Sequence, residues 1–308
     1  MYRVLFRIPL PFTIPGIGVH EISIYSYGFM LAIGFLVGIV IGHYRARREG
    51  VDSGLVWDTW TACFIAGILG ARLFYYVQNY RQEFAGQPLY KALEVWQGGL
   101  VFYGGVIGAF LASWLVVKLR GGRFLQIADI SAPSLAVGVA FGRIGCFLNG
   151  CCWGCAAPAG AWYGVSFPPM SPPAVAYAVP GSEAIQWSPP LVPSQLISAA
   201  AVFAIFLALT FFYRHRHRYG EVFVMFLMLY APARYGLEWI RNETPKDFLW
   251  HTPGQLVSIA MFVPAAAAFT YLRWLSKGPT AAECAAADRA ATARHASPVH
   301  RKKVRRKA

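Results

Sequence analysis

Apolar stretches of about 20 residues recur along this chain, and they restrict its fold more than any other feature. A bilayer has a hydrocarbon core roughly 30 Å thick, which an α-helix crosses in about 20 apolar residues. Of the 308 residues, 56% are hydrophobic and 14% are charged, whereas soluble domains have about 25% charged residues. The pattern predicts an all-α, polytopic membrane protein. We predict seven transmembrane helices, at residues 25–43, 57–78, 99–117, 125–147, 192–213, 221–241 and 254–275.

The basic residues predict the orientation of these helices. A net charge of +14 would also suit a nucleic-acid-binding protein, but the basic residues occur in short clusters between apolar runs. Loops that stay in the cytoplasm are rich in Lys and Arg. Three such clusters follow the first, third and fifth spans: Arg45, Arg47 and Arg48; Lys118, Arg120 and Arg123; and Arg214, Arg216 and Arg218. We therefore predict an external N-terminus, a cytoplasmic C-terminus and no nucleic-acid partner.

The connections between the apolar runs predict the domain organisation. Residues 1–276 form one membrane domain, and the N-terminal segment lacks the apolar core of a cleaved signal peptide. Residues 149–191 contain no Lys or Arg and are rich in Pro, Gly and aromatic residues. This composition favours an irregular extracytoplasmic cap. Residues 277–308 are Ala-rich and then basic, which predicts a disordered cytoplasmic tail.

Arginines inside apolar runs are the first candidates for a functional site, because a charge at membrane depth is costly. Arg72, Arg143 and Arg234 each lie within about two helical turns of the predicted outer end of a span. Glu238 and Arg241 follow Arg234 at i+4 and i+7, on the same helical face. Arginine matches phosphate oxygens bidentately, so we predict binding of an outer-leaflet phospholipid headgroup. Snorkelling of the side chains to the interface is the alternative, and it applies best to Arg241.

Tyrosines and cysteines fall near the same depth. Tyr27 and Tyr103 each precede a glycine, where a backbone can approach a ligand closely, although an aromatic belt also explains tyrosines at this level. Four cysteines cluster at the end of the fourth span and just after it: Cys146, Cys151, Cys152 and Cys155. They are open to three interpretations: small packing residues, a disulfide on an oxidising face, or a metal site.

The segment GRIGCFLNG, preceded by ADISAP, resembles the signature of the prolipoprotein diacylglyceryl transferase family. Further matching segments extend from Tyr25 to about Met261: the Tyr27-Gly28 pair, GARLFYY with Arg72, WQGGLVFYGG, PSQL, RYGLEWIR with Arg234 and Glu238, and GQLVS.

The resemblance implies a bacterial inner-membrane enzyme with seven helices. It implies transfer of the diacylglyceryl group of phosphatidylglycerol to the lipobox cysteine of a prolipoprotein signal peptide, without a metal or cofactor. Arg143 and Arg234 fall on the essential arginines of the family, and we add Tyr103 and Glu238 as catalytic residues. For phosphatidylglycerol binding we predict Arg143 and Arg234, together with Arg72, Tyr27, Asn149 and Gly154.

Several positions depart from the family pattern. The histidine of the third span is Tyr103 here, and the histidine before PSQL is Val192. Other polar family residues are replaced by Tyr25, Ser198, Cys146 and Cys151. The base that deprotonates the thiol is therefore unassigned. A lipid-binding paralogue that has lost the thiol chemistry is the alternative. A small anion transporter is a third possibility, although the chain lacks the internal repeat typical of such proteins.

Overall fold

The computed structural model describes residues 4–9, 21–88, 90, 91, 94, 99–158, 160–178, 186–241, 252–276, 278–284 and 286. Within these residues, the chain forms two compact units. The first contains the residues up to Ile41 and the segment Ser131–Ala281. The second contains Gly42–Ile130 and the residues from Ala282 onward. Helices α1 and α4 each contribute one part to either unit.

Helices make up most of both units, as the apolar runs predicted. The helices are α1 (Ser26–Glu49), α2 (Ser53–Gln78), α3 (Phe102–Leu119), α4 (Phe124–Asn149), the short α5 (Pro172–Ala176), α6 (Ser194–Phe212), α7 (Glu221–Ile240) and α8 (Pro253–Thr270). A short π-helical segment, Tyr80–Phe84, follows α2, and another, Tyr271–Leu275, extends α8. Each of the seven predicted spans coincides with a long helix, which confirms the all-α polytopic fold.

Six of these long helices are apolar enough to cross a membrane, within the described part of the chain. They are α1, α2, α3, α4, α6 and α8 with its extension. Helix α7 has 20 residues, but Arg234 and Glu238 lie in its second half and lower its hydropathy. Crossing by α7, and with it the count of seven spans, therefore remains a prediction, as does the orientation of the termini.

The core of the first unit is formed by α4, α6 and α7. Ala132, Ala136 and Ala140 repeat every four residues on α4 and are at most 4% exposed. This spacing places them on one helical face, and their small side chains allow close packing of larger partners. Those partners are Val202, Ile205 and Leu209 of α6 and Val222 and Phe226 of α7.

Helix α1 packs against α4 through small residues within the first unit. A Cβ atom added to Gly34 would lie 2.9 Å from the Cβ of Phe141. One turn further along, the Ser134 hydroxyl donates a hydrogen bond of 2.8 Å to the carbonyl oxygen of Gly38. Small residues allow such backbone approach between membrane helices.

In the second unit, α2 and α3 pack closely along a stripe of small residues. A Cβ atom at Gly104 would lie 2.3 Å from the carbonyl oxygen of Gly70, and one at Gly108 would lie 2.3 Å from that of Ala66. The glycines therefore set the distance between these two helices.

An N-terminal β-hairpin precedes α1 and was not predicted. Strand β1 (Val4–Pro9) pairs antiparallel with β2 (Glu21–Tyr25), with Arg7 opposite Ser23. The first helix consequently begins at Ser26 rather than at Tyr25. Each strand is short, so its alternation of apolar and polar residues is too brief to distinguish it from a loop.

The predicted cap, residues 149–191, has few regular elements in its described parts. Its regular elements there are α5 and two isolated bridges, in which Leu191 pairs with Ala156 and Val165. Phe167 and Leu191 are fully buried within it. Its position at the membrane surface remains a prediction.

Part of the predicted tail has a described backbone. Residues 281–284 form a helical turn, and the Ala281 amide donates a hydrogen bond of 2.7 Å to the carbonyl oxygen of His217. Disorder of the tail at residues 277–308 stays a prediction. Most of the remaining tail, residues 287–308, lies outside the described residues.

Candidate active site

A cavity in the first unit brings together side chains from α4, α6, α7 and the segment after α4. The space between its lining atoms, including the part that is open to the surroundings, is about 220 Å³. Its lining residues are Arg143, Cys152, Ser194, Gln195, Ser198, Arg234, Leu237 and Arg241. Two of the arginines singled out in the sequence, Arg143 and Arg234, therefore face the same space.

Arg143 reaches the cavity from the last two turns of α4. Its guanidinium interacts with Tyr230 of α7, including by a side-chain hydrogen bond, and it lies near the thiols of Cys146 and Cys152. Tyr27, at the start of α1, is an electrostatic neighbour of Arg143. Gly145 makes room for it, because a Cβ atom there would lie 3.2 Å from the tyrosine ring. Tyr27 is thus close enough to Arg143 to take part in the same site.

Arg234 is held by a carboxylate one turn further along α7. Its guanidinium forms a hydrogen-bonded ion pair with Glu238, as the i, i+4 spacing predicted. The Glu238 side chain is 2% exposed and that of Arg234 is 23% exposed. Gly254, in the first turn of α8, packs against the pair, since a Cβ atom there would lie 3.2 Å from atoms of both side chains. The pair is therefore fixed by charge and by packing.

Arg241 supplies a third guanidinium group to the lining of the cavity. Arg241 follows the last residue of α7 and has an extended backbone, yet its side chain lines the same space as that of Arg234, so cavity lining describes Arg241 better than snorkelling. Three guanidinium groups face one described carboxylate here, an excess of positive charge that suits an anionic ligand such as a phosphate group.

The segment after α4 is fixed to the start of α6 and the end of α7. The Ser194 hydroxyl donates a hydrogen bond of 2.8 Å to the carbonyl oxygen of Cys152. The side-chain amide of Gln195 donates a hydrogen bond of 2.8 Å to the carbonyl oxygen of Cys151. On the other side, the Cys155 amide donates one of 2.8 Å to the carbonyl oxygen of Ile240. These bonds hold Cys152 at the wall of the cavity.

Gln195 also brings an acceptor to the cavity lining. Its side chain is 1% exposed, and its Oε1 has no hydrogen-bond partner among the described residues. A buried acceptor without a partner costs free energy. A ligand with a hydroxyl group would satisfy it.

The cysteine cluster consists of free thiols. The Sγ atoms of Cys146, Cys151 and Cys152 all lie within 4.8 Å of one another, and no disulfide joins any of the described cysteines. Hydrogen bonds from the Cys146 and Cys151 thiols, aided by the charges of Arg241 and Arg143, hold the pKa of the Cys152 thiol below its ordinary value. Cys155, the fourth cysteine of this stretch, is not part of this group.

Asn149 and Gly154 adjoin the cavity without lining it. The Asn149 side chain is a hydrogen-bond partner of the Cys151 thiol. Gly154 is buried, and a Cβ atom there would lie 2.7 Å from the carbonyl oxygen of Val192. Both residues therefore position the segment that carries Cys152.

Arg72 and Tyr103 belong to the second unit. Arg72 is 4% exposed and donates hydrogen bonds to the carbonyl oxygens of Lys91, at 2.9 Å, and Gly99, at 3.4 Å. Its guanidinium also lies 5.5 Å from the centre of the Tyr75 ring. These contacts hold the backbone of Lys91 and Gly99 against α2. Tyr103 lies in the first turn of α3 with 44% of its surface exposed.

Several lining residues were not predicted as site residues: Cys152, Ser194, Gln195, Ser198, Leu237 and Arg241. Two signals in the sequence point toward some of them. The PSQL segment contains Ser194 and Gln195, and the i+7 spacing places Arg241 on the face of Arg234. Ser198 stands where the family pattern has a polar residue, which is a third signal, whereas for Leu237 the sequence offers none, because its side chain is ordinary in a helix.

The fold and the cavity define a class, namely a polytopic helical membrane protein with an arginine-lined cavity. A family model described as prolipoprotein diacylglyceryl transferase matches residues 16–271. The chain belongs to this family.

Curated relatives resemble the chain over most of its length. The phosphatidylglycerol–prolipoprotein diacylglyceryl transferase of Nitratidesulfovibrio vulgaris (strain Miyazaki F) is 31% identical over 267 residues, which cover 83% of this chain and 92% of the relative. The enzyme of the same name from Solidesulfovibrio magneticus is 33% identical over 256 residues, covering 80% and 89%. That of Legionella pneumophila (strain Paris) is 29% identical over 266 residues, covering 83% and 93%.

Proposed function

We propose that this protein transfers the diacylglyceryl group of phosphatidylglycerol to the cysteine thiol of prolipoproteins, the first step of lipoprotein maturation. Family membership and the names of the relatives support this activity. The observation that carries the proposal for the site is the convergence of Arg143 and Arg234 on one cavity. The acceptor is the lipobox cysteine of the signal peptide, and the enzyme works in the bacterial inner membrane.

The reaction replaces a carbon–oxygen bond by a carbon–sulfur bond. The thiolate sulfur of the prolipoprotein attacks the glyceryl carbon that carries the phosphate ester. The bond between that carbon and the ester oxygen breaks, its electrons stay on the oxygen, and glycerol phosphate leaves. The products are a thioether and a phosphate monoester with an additional negative charge. Groups that stabilise this charge accelerate the reaction.

The two arginines are suited to that role. The guanidinium groups of Arg143 and Arg234 bind the phosphate oxygens and stabilise the charge that develops on the ester oxygen. Glu238 keeps Arg234 in the required orientation through the ion pair. Tyr27 contributes to headgroup binding next to Arg143, whereas Asn149 and Gly154 maintain the shape of the adjoining segment.

The thiol must lose its proton, because the thiolate is the nucleophile. We assign Tyr103 an assisting role in this step, at the position where the family pattern has a histidine. Arg72 contributes to headgroup binding through the segment that it fixes. Both assignments rest on the resemblance of the surrounding segments to those of the family.

Transfer by membranes containing the protein tests the proposal directly. Incubation with phosphatidylglycerol and a lipobox peptide should yield a diacylglyceryl peptide, detected by mass spectrometry. Arg143→Ala should reduce the product by at least the roughly 100-fold expected for loss of one group that stabilises transition-state charge. Arg120→Ala is the matched control, because Arg120 is an exposed arginine paired with Asp58. Absence of product from folded wild-type protein would contradict the proposal.

A lipid-binding paralogue without transferase activity is the second candidate. The cavity favours it in one respect, because Ser198 lines the cavity at a position where the family pattern has glutamate. Cys146 and Cys151, which also replace polar family residues, lie next to the cavity. Complementation of a strain depleted of its own transferase distinguishes the candidates. A folded, membrane-inserted protein that fails to restore growth is the result expected for the paralogue.

A further inference from the structure

Three thiols form a compact group at the edge of the cavity, and the proposed reaction uses none of them. The Sγ atoms of Cys146, Cys151 and Cys152 all lie within 4.8 Å of one another. Each of the three residues is half-buried, so the group is partly shielded from its surroundings but remains accessible to a small ion.

The backbone holds the three thiols together before any ligand is bound. Cys146 lies in the last turn of α4, and its carbonyl oxygen accepts a hydrogen bond of 3.0 Å from the Cys151 amide. Gly150 has a φ of +73°, which turns the chain back at the end of the helix. Cys152 has a φ of +61°, a conformation that is unfavourable for residues other than glycine. Such strained residues persist where the surrounding structure fixes them, and they are frequent at functional sites.

Neighbouring elements fix this arrangement further. The hydrogen bonds from Ser194 and Gln195 to the carbonyl oxygens of Cys152 and Cys151 tie the two cysteines to the start of α6. The backbone of Cys151 and Cys152 is therefore held in place by α6, and the three thiols lie together without a ligand. Ligand groups placed in advance in this way reduce the ordering cost of binding.

The chemistry of three thiolates selects soft metal ions. Thiolates prefer Cu(I) and Zn(II) over hard cations such as Mg²⁺ and Ca²⁺. With metal–sulfur bonds of about 2.3 Å, three sulfurs around one ion lie about 4 Å apart, which the present separations allow with little movement. Three thiolates and one such ion carry a net negative charge. The guanidinium groups of Arg241 and Arg143, which interact with the Cys152 thiol, offset that charge.

We propose that Cys146, Cys151 and Cys152 bind one soft metal ion, Cu(I) or Zn(II), and that the bound ion inhibits the enzyme. The inhibitory part rests on the proposed function. Cys152 lines the cavity together with Arg143 and Arg234, so an ion held by its thiolate narrows the space for the phosphate group. The negatively charged group of thiolates and metal also competes with the phosphate for the positive charge of Arg143.

Metal titration of the purified, reduced full-length protein tests binding without any measurement of activity. Zn(II) and Cu(I) are added separately in competition with a chromophoric chelator. We expect one ion per chain, and protection of three of the six cysteines from alkylation, reversed by excess chelator. Failure of both ions to bind, or protection of a set other than these three cysteines, overturns the proposal. Peptide mapping of the alkylated residues identifies the set.

Two serine variants provide the matched comparison. Cys151→Ser should weaken binding by more than the roughly 10–100-fold that loss of an outer-shell partner costs, whereas Cys155→Ser, in the same segment, should bind as the wild type does. If Cys151→Ser does not fold, the alkylation pattern of the wild-type protein still decides the question. Equal affinities of two folded variants contradict the proposal. A disulfide among these cysteines in place of metal binding also contradicts it.

Transfer assays then test the inhibition. Wild-type activity should fall as the site fills and return with chelator, and Cys155→Ser should behave in the same way. Metal binding without inhibition overturns only the inhibitory part. If the wild type binds the ion but the metal-free protein has no transfer activity, the proposed function is contradicted and the proposed metal site is still supported.

Discussion

Arg143 and Arg234 come to the cavity from different helices, and their surroundings give them different roles. Arg234 is paired with the buried carboxylate of Glu238, so part of its charge is already compensated and its orientation is fixed. The described neighbours of Arg143 include the hydroxyl groups of Tyr230 and Tyr27 and the thiols of Cys146 and Cys152. None of these groups is a carboxylate, so none of them forms with Arg143 an ion pair of the kind that Glu238 forms with Arg234. We therefore expect Arg143 to provide most of the phosphate affinity and Arg234 most of the positional precision.

Glu238→Gln tests this division of roles. The variant keeps the shape of the side chain but removes the charge that fixes Arg234. We expect kcat to fall roughly 100-fold, because a displacement of about 1 Å at a reacting group has that effect. The KM for phosphatidylglycerol should change much less, since Arg143 remains in place. Steady-state kinetics in detergent micelles with varied phosphatidylglycerol provide both constants.

Glu221→Gln is the control for this substitution. Glu221 is another fully buried glutamate of α7, and it pairs with Arg273 at 3.2 Å near the other end of the helix. Its substitution should lower the thermal stability and leave kcat for the folded protein close to that of the wild type. Similar losses of kcat in both variants would mean that Glu238 acts through stability alone.

For a single residue, the sequence predicts the position along a span better than the direction in which the side chain points. A charged residue within an apolar run has a predicted level in its span, and Arg72, Arg143 and Arg234 share that predicted level. The direction of each side chain depends on packing, which no local pattern records. Arg72 bonds to backbone carbonyl oxygens of its own unit, whereas Arg241, which looked interfacial, lines the cavity. Cys152 was unassigned because its position depends on a strained backbone conformation.

Among the secondary structure elements, α2 and α3 show how small residues replace apolar side chains at a helix contact. Lipid tails are as apolar as leucine, so membrane helices associate through close packing rather than through the hydrophobic effect. The carbonyl oxygen of Ala66 occupies the place of a side chain at Gly108. The carbonyl oxygen of Gly70 occupies the place of a side chain at Gly104. The contact thus depends on the absence of Cβ atoms at specific positions.

Gly70→Ala should disrupt this contact. The new Cβ atom would lie 2.4 Å from the carbonyl oxygen of Gly104, and a backbone oxygen cannot move aside as a flexible side chain can. We expect a loss of about 1–3 kcal/mol in the free energy of unfolding, as for overpacked cores. Thermal or denaturant unfolding in detergent, followed by fluorescence, measures it.

Gly67→Ala provides the comparison one turn away on the same helix. A Cβ atom there would lie 3.7 Å from its nearest neighbour, the carbonyl oxygen of Gly105, which is an ordinary contact. Because alanine favours helices over glycine by up to about 1 kcal/mol, this variant should be as stable as the wild type or more stable. If both variants lose the same stability, the close contact at Gly70 does not hold the helices together.

Helices were predictable from the sequence to within a few residues because their signal is long. Each apolar run provides about 20 residues of evidence, and the basic clusters mark the ends of several. The hairpin of β1 and β2 was not predicted, because its strands have six and five residues. The pairing of Ala156 and Val165 with Leu191 could not be predicted either, since it joins residues far apart in a chain segment without periodicity.

For the whole molecule, the distribution of charge and the proposed reaction predict the same orientation in the membrane. The arginine-lined cavity lies where α4 and α7 end and α6 begins, at the end of these helices that also carries the segment without Lys or Arg. The basic clusters lie at their opposite ends. An external cavity suits the prolipoprotein acceptor that we propose. A cavity on that side requires α7 to cross the membrane, although its charged second half lowers its hydropathy.

Reporter fusions at both ends of α7 test whether it crosses. Truncated chains that end after Arg218 or after Arg241 are joined to alkaline phosphatase, which is active outside the cytoplasm, or to a fluorescent protein that matures inside. We expect fluorescence after Arg218 and phosphatase activity after Arg241, because the positive-inside rule keeps the Arg214–Arg218 cluster in the cytoplasm. A fusion to the complete C-terminus should fluoresce. The same reporter response at both ends of α7 would mean that this helix does not span the bilayer, and that Arg234 and Arg143 reach their common cavity by a different insertion of the chain.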